Sequence, residues 1–328
     1  MGPYTQLQRA GGTASKTCRD DPSPQRGGGR IDQLVVDGKR KRLFAATLGE
    51  KQIAATVIDL KSNTVIRIIA GADRAQGAFY SAESKKLLVA NGSGETYDVF
   101  SPATFNLVDT ISSGSDTKNF GYDPVTKFLY IGGGDAKSGT LSVLDSRTNR
   151  LTREIKTEAQ PGVIASSKTR PQIFMTFSGT GNVGVVDRKR HKQVATWLVP
   201  GAETNAALAL DDKHHHLFVG SRKPPLMTVL SAETGQTISQ IEGVEGIRDL
   251  WYDAAHQRVY ASGLSEADEG LVFVYQRKGR DHYDLAWTMP TVTSSGPSVW
   301  VSECNRLYVA APSDQSERSR ILVFEPLQ

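Results

Sequence analysis

A short apolar strand following a polar turn recurs seven times along this chain. It reads Arg42-Leu43-Phe44-Ala45-Ala46, Lys86-Leu87-Leu88-Val89-Ala90, Phe128-Leu129-Tyr130-Ile131-Gly132, Gln172-Ile173-Phe174-Met175, His216-Leu217-Phe218-Val219-Gly220, Arg258-Val259-Tyr260-Ala261 and Arg306-Leu307-Tyr308-Val309-Ala310. Anchored on Leu43, Leu87, Leu129, Ile173, Leu217, Val259 and Leu307, the spacings are 44, 42, 44, 44, 42 and 48 residues. A second column keeps step: Val57, Val99, Val143, Val185, Val229, Val274 and Val323. A unit of several short strands cannot bury both its faces alone, so it must stack on copies of itself. Repeats of about 40–50 residues built this way are the pattern of a β-propeller. The expected fold class is all-β: a seven-bladed β-propeller of four-stranded antiparallel blades.

Each repeat divides into strands A (innermost) to D (outermost). Blade one is expected at Ile31–Val36, Leu43–Thr47, Thr56–Asp59 and Thr64–Ile69, with Asp37-Gly38 at the A–B turn. Strand D alternates, as in Leu151-Thr152-Arg153-Glu154-Ile155, which suits an outer strand partly in water. Blade seven runs out at Gln328 before a fourth strand. Residues 4–9, Tyr4 to Arg9, are the one upstream candidate to supply it, so an N-terminal strand is expected to pair into the last blade. Gly11–Gly29, rich in Gly, Ser, Pro and charge, is expected as a flexible linker. The organisation is therefore 1–29, closing strand plus linker, and 30–328, propeller.

Lys+Arg exceed Asp+Glu by 39 − 35 = 4, so bulk charge alone points to neither nucleic acid nor membrane. No apolar run reaches the ~18–20 residues that span a bilayer. No leader is recognisable either: the chain is expected in the cytoplasm, or in the periplasm or medium if a signal peptide has been removed. Cys18 and Cys304 make no disulfide framework and fall at opposite rims. A monomer is expected.

The repeat lacks the Trp-Asp dipeptide of WD40 blades, since the four tryptophans precede Leu198, Tyr252, Thr288 and Val301. Leu88-Val89-Ala90-Asn91, Leu307-Tyr308-Val309-Ala310, Val57-Ile58-Asp59 and Val143-Leu144-Asp145 instead resemble the YVTN-repeat propellers. From about Arg30 onward the chain is similar to their YncE-like branch. The resemblance implies seven blades, frequent export in bacteria and usually no assigned activity. Related propellers include lactonases and an antibiotic-opening lyase, whose catalytic residues find no matching positions here. The repeated tryptophan docking motifs of quinone-dependent dehydrogenases are absent, and no cofactor is expected.

In an up-and-down blade, B–C loops and D–A crossovers share one rim, here the top, and A–B and C–D turns share the bottom. Counting back five residues from the A–B turn column (Asp37, Ser81, Asp123, Ser167, Asp211, Asp253, Ser302) gives the channel mouth: Asp32, Gln76, Lys118, Gly162, Ala206, Arg248 and Pro297. The next position holds Gln33, Gly77, Asn119, Val163, Ala207, Asp249 and Ser298. One further on the column is apolar throughout: Leu34, Ala78, Phe120, Ile164, Leu208, Leu250 and Val299. A polar ring over a dry floor suits a shallow ligand pocket, although strand starts are often polar for solvation alone. Arg30, Arg74, Gln160 and Asn205 flank it in the crossovers. Lys118 and Arg248 suit a carboxylate or phosphate, while Asp32 and Asp249 are the candidate acid or base.

All six histidines fall in bottom turns: His191 and His282 in C–D turns, His214, His215, His216 and His256 in A–B turns. A top-mouth triad or histidine-held metal is therefore not expected. Gly132-Gly133-Gly134 reads as a B–C loop with no following helix, so it is no phosphate loop. The bottom rim also gathers Lys39-Arg40-Lys41-Arg42, Lys85-Lys86, Arg188-Lys189-Arg190, Lys192, Arg277-Lys278 and Arg280, whereas the top loops lean acidic. An anionic surface or nucleic acid is a possible partner there, against ordinary solubility charge. The leading functional expectation is a non-enzymatic binding propeller taking a small polar ligand or a partner protein at the top mouth. The competing one is a lactone hydrolase or lyase working at the same mouth.

Overall fold

The computed structural model describes residues 30–48, 53–71, 75–91, 96–112, 119–135, 137–177, 179–265, 267–312 and 320–325. The expected closing strand at 4–9, the linker and Cys18 lie outside these residues. Six sheets have four strands and the seventh has three, each in sequence order and antiparallel throughout. Blade one is Arg30–Asp37, Arg42–Leu48, Ile53–Asp59 and Thr64–Ala70; blade seven is Ser298–Val301, Arg306–Ala311 and Arg320–Phe324. No helix occurs among the described residues, hence none long and apolar enough to cross a membrane. The glycine triplet is a correction: Gly132, Gly133 and Gly134 close strand B of blade three (Phe128–Gly134) rather than forming a loop.

The hydrophobic core is not one mass but seven wedges, each shared by two adjacent blades. The wedge that proves closure joins Ile31, Leu34, Leu43 and Ala45 of blade one to Val299, Val301, Tyr308 and Ala310 of blade seven. This explains why strands B and C read as continuous apolar runs: each is covered on both faces. Strand D is covered less, leaving Ile66, Ile68, Leu107, Val108 and Leu198 exposed.

Backbone hydrogen bonds fix the two rims. At the bottom, the C–D turn donates to the A–B turn of the same blade: Leu60 N to Lys41 O (2.8 Å), Ser146 N to Lys127 O (3.1 Å), Arg188 N to Pro171 O (2.9 Å), Ala232 N to His215 O (2.8 Å) and Arg277 N to Gln257 O (3.1 Å). At the top, crossovers meet B–C loops, as in Gln160 N to Asp135 O (2.8 Å) and Glu203 N to Lys223 O (2.7 Å). The Asp/Ser column caps the A–B turns from within. Asp123 accepts Val125 N at 2.9 Å, Asp253 accepts Ala255 N at 3.0 Å and Ser167 Oγ accepts Arg170 N at 3.0 Å.

Candidate functional site at the channel mouth

Strand A of every blade is an edge strand facing the channel, so its side chains near the top decide what the mouth offers. The apolar column beneath is a floor as expected: Leu34, Ala78, Ile164, Leu208, Leu250 and Val299 are buried, and Phe120 is half-buried. Above it the polar residues divide by what already holds them.

Several of the expected contact residues are occupied in joining blades. Gln33 Oε1 accepts the Ala78 N–H of blade two at 2.6 Å. Asn205 is 5% exposed and donates Nδ2–H to Gly181 O at 2.6 Å, tying blade five to blade four. Ser298 is 3% exposed; its Oγ receives Trp251 Nε1–H at 3.1 Å and lies 2.9 Å from Ser262 Oγ. Asn119 and Gln160 are half-buried on the blade three side. Arg74 and Lys118 lie outside the described residues, as do the side chains of Arg30 and Gln76.

The concentrated chemistry is at blades five to seven and one. Asp249, in strand A of blade six (Glu245–Asp253), accepts the Ser298 backbone N–H on Oδ2 at 2.7 Å. The residue is half-buried, and its carboxylate is closely surrounded by protein. Burial pushes its pKa up to about 6; the Ser298 N–H, Arg248 and Arg222 oppose the rise, and Asp32 adds to it. Oδ1 makes no hydrogen bond among the described residues. Arg248 is the neighbour of Asp249 on the same strand.

Arg222 was not expected from the sequence. It ends strand B of blade five (His216–Lys223), outside the strand A columns, and donates Nε–H to Ile247 O of blade six at 2.9 Å. Burial lowers its pKa, Arg248 lowers it further and Asp249 raises it, so the two guanidiniums and the carboxylate share one field. Arg222 is exposed by its own surface while its guanidinium is partly enclosed, because the stem stands at the rim and the head leans over blade six. Neither Arg222 nor Arg248 forms an ion pair among the described residues. The signal was present in Ser221-Arg222-Lys223, a polar run with two cations where the other B strands finish on Leu, Asn, Gly, Phe or Ala.

The histidines are at the bottom. His214 Nδ1 meets Asp211 at 2.6 Å, His256 Nδ1 meets Asp253 at 2.6 Å, and buried His216 lies between Tyr283 Oη (2.9 Å) and Asp281 (3.1 Å). No group of three or more metal-ligating side chains occurs among the described residues. Several basic residues of this rim are committed internally. Arg188 is buried and donates to Asp123 Oδ1 (2.8 Å), Ser167 O (2.8 Å) and Arg170 O (2.6 Å); Arg40 pairs with Asp37 at 3.1 Å; Arg42 donates to Pro102 O at 2.7 Å. Lys39, Lys85, Lys189, Arg190, Lys192, Lys278 and Arg280 remain exposed.

No protein-family model matches the chain. Two curated relatives, the uncharacterized protein YncE of Salmonella typhi and that of Salmonella typhimurium strain LT2, are each 24% identical over 192 residues. That stretch covers 57% of this chain and 53% of theirs, so the match spans about half the length of these relatives. Among solved structures, U3-55K superposes with a TM-score of 0.74 at 14% identity, covering 95% of this chain and 98% of that one. The RRP9 WD40 repeats follow at 0.73 and 14%, covering 94% and 96%. Kuenenia stuttgartiensis hydrazine synthase gives 0.60 at 16%, covering 73% and 75%. The chain is a seven-bladed propeller with YncE-like sequence; the structural likenesses carry the fold alone.

Proposed function

We propose that this protein is a binding propeller that takes a small anionic ligand at the top mouth of its channel, where blades five, six and seven meet. The observation behind the reading is the pair Arg222 and Arg248. Two guanidiniums in one field, neither in an ion pair among the described residues, have donors to spare for a carboxylate or phosphate. The apolar floor of Leu208, Leu250 and Val299 keeps water from competing below. Asp32, Asn119 and Gln160 border the same opening and would set which ligand fits. The propeller likeness to WD40 repeats is in keeping with binding or scaffolding.

A thermal-shift screen of small carboxylates, phosphates, sugars and lactones tests this. Anions are expected to raise the melting temperature of the wild type but not of Arg222→Ala or Arg248→Ala. A response confined to neutral sugars or lactones would contradict it.

A second reading, a lactone hydrolase or lyase at the same mouth, is favoured by one observation. Asp249 is a carboxylate set in protein with its pKa pushed up to about 6, near the working range of a general base, beside cations suited to a developing anion. Turnover of a lactone panel that disappears in Asp249→Asn, with folding intact, would promote this reading over the first.

At the bottom rim Asp37, Asp123, Asp211 and Asp253 are turned inward as caps, and the exposed Lys39, Lys85, Lys189, Lys192 and Lys278 stand among exposed carboxylates such as Glu83, Glu233 and Asp281. The exposed lysines support a polyanionic partner for that face. Filter binding across a salt series tests it, and no retention at low salt would end the idea.

A further inference from the structure

We infer that the open edge of blade seven is a strand-docking site, occupied by residues 4–9 of the same chain with Leu7 opposite Ile321, and that this clasp exchanges with an added strand. The outer edge of Ile321–Phe324 meets no strand among the described residues. Its chemistry is nonetheless that of an interior strand. Ile321, Leu322 and Val323 are 3%, 8% and 5% exposed, whereas every described outermost strand has several exposed positions. A continuous apolar run with a bare backbone edge is a template for one more strand.

The six complete blades fix what that strand must carry. Opposite the residue equivalent to Ile321, each places a large apolar side chain: Ile69 on Ala55, Ile111 on Tyr97, Ile155 on Leu141, Trp197 on Val183, Ile241 on Met227 and Met289 on Val272. Leu7 is the one Leu, Ile or Val among residues 1–29. With Leu7 in that column, Gln6 joins Thr110, Glu154, Thr196, Gln240 and Thr288, a column that is polar except at Ile68.

That exception is a second match. Thr196 and Gln240 reach the residue three past the apolar anchor of the preceding blade. Thr196 Oγ1–H donates to Glu158, beyond Ile155, and Gln240 Nε2–H donates to Pro200 O at 2.6 Å, beyond Trp197. Ile68 holds the same position facing blade seven and is 40% exposed, and three past Leu7 is Ala10. An aliphatic side chain in blade one thus meets a methyl group where the other blades pair polar groups.

The tether makes the clasp exchangeable. Each described outer strand follows strand C through a short turn and leaves by a crossover of two (243–244) to seven (291–297) residues. Residues 4–9 have no such turn from strand C and reach blade one through the nineteen residues 11–29. A tether of this kind presents its ligand at an effective concentration on the order of millimolar, which an added strand can match.

The test is a fluorescein-labelled peptide of residues 2–10, titrated by anisotropy into the full wild-type chain and into Leu7→Asp, both checked by circular dichroism. Leu7→Asp frees the edge and should bind the peptide about tenfold more tightly than the wild type, or better. The peptide carrying Leu7→Asp should bind neither protein. Adding Ile68→Asp to the Leu7→Asp chain should weaken binding about fivefold. Equal affinity for both proteins, or binding to neither, would overturn the inference. Hydrogen exchange on the wild type covers the case in which Leu7→Asp does not fold. Residues 5–9 should be protected, and should lose that protection in excess peptide while 321–324 keep theirs. Exchange of residues 5–9 at the rate of free chain would contradict the clasp. So would a wild type that is dimeric and binds peptide only on dissociating, since the strand would then come from a second copy.

Discussion

The Asp249 carboxylate accepts the Ser298 backbone N–H at 2.7 Å, bolting blade six to blade seven with a charged group where Gln33 uses a neutral one toward blade two. A carboxylate whose folded pKa is raised, mainly by burial, favours the folded state while protonated. Its contribution is complete below the unfolded value near 4 and is lost as pH rises through about 6. Asp249→Asn should therefore stabilise the protein at pH 7.5 by on the order of 2 kcal/mol and be neutral at pH 4. Melting temperatures of both proteins across that range check it; a variant less stable at pH 7.5 would refute the assignment.

Blades three and four are joined by a different device. Arg188, 7% exposed, satisfies Asp123, which is fully buried, and two backbone carbonyls besides. Removing the cation leaves an uncompensated buried carboxylate, so Arg188→Ala should cost about 3–5 kcal/mol. Urea unfolding measures it. A loss below about 1 kcal/mol would mean that Asp123 finds another partner.

His216 should make stability fall in acid. Burial holds its pKa below the usual imidazole value although Asp281 pulls the other way. A depressed histidine contributes stability that is present above its unfolded pKa, near 6.5, and lost as pH falls toward the folded value. His216→Phe keeps the ring beside Phe218 and Tyr283 but cannot titrate. The wild type's advantage over this variant at pH 8 should shrink below pH 6.5; a gap independent of pH would show that His216 stays in one protonation state.

The blade count and the two rims were legible because period and turn chemistry are local: Asp123 and Asp253 cap their turns whatever lies across the channel. The apolar floor was legible for the same reason, since one register column fixes which face is buried. The site was less so. Asn205 and Ser298 looked like ligand contacts, but Asn205 Nδ2 and Ser298 Oγ are bonded to neighbouring blades, leaving Asn205 Oδ1 without a partner among the described residues, and which neighbour each reaches is tertiary information. Arg222 arrives from strand B of the adjacent blade, a geometry no single-blade column contains. Gly132 was misplaced for a related reason. A Cβ there would stand 2.6 Å from Pro161 O of the next blade, so the residue is small because two blades touch.

That contact gives a further prediction. Gly132→Ala must push Pro161 away and should lower stability by about 1–3 kcal/mol without altering the mouth. Thermal melting checks the first part, and unchanged anion affinity the second. Gly279→Ala, with nothing near its Cβ, is the matched control and should be close to silent.

The central claim is that Arg222 and Arg248 await an anion. A crystal of the wild-type protein soaked in sodium bromide, with anomalous data collected at the bromine edge, tests it most directly. The account predicts a bromide peak within hydrogen-bonding reach of both guanidiniums above the Leu250 floor. An empty mouth, with both arginines paired to carboxylates of the protein itself, would contradict it.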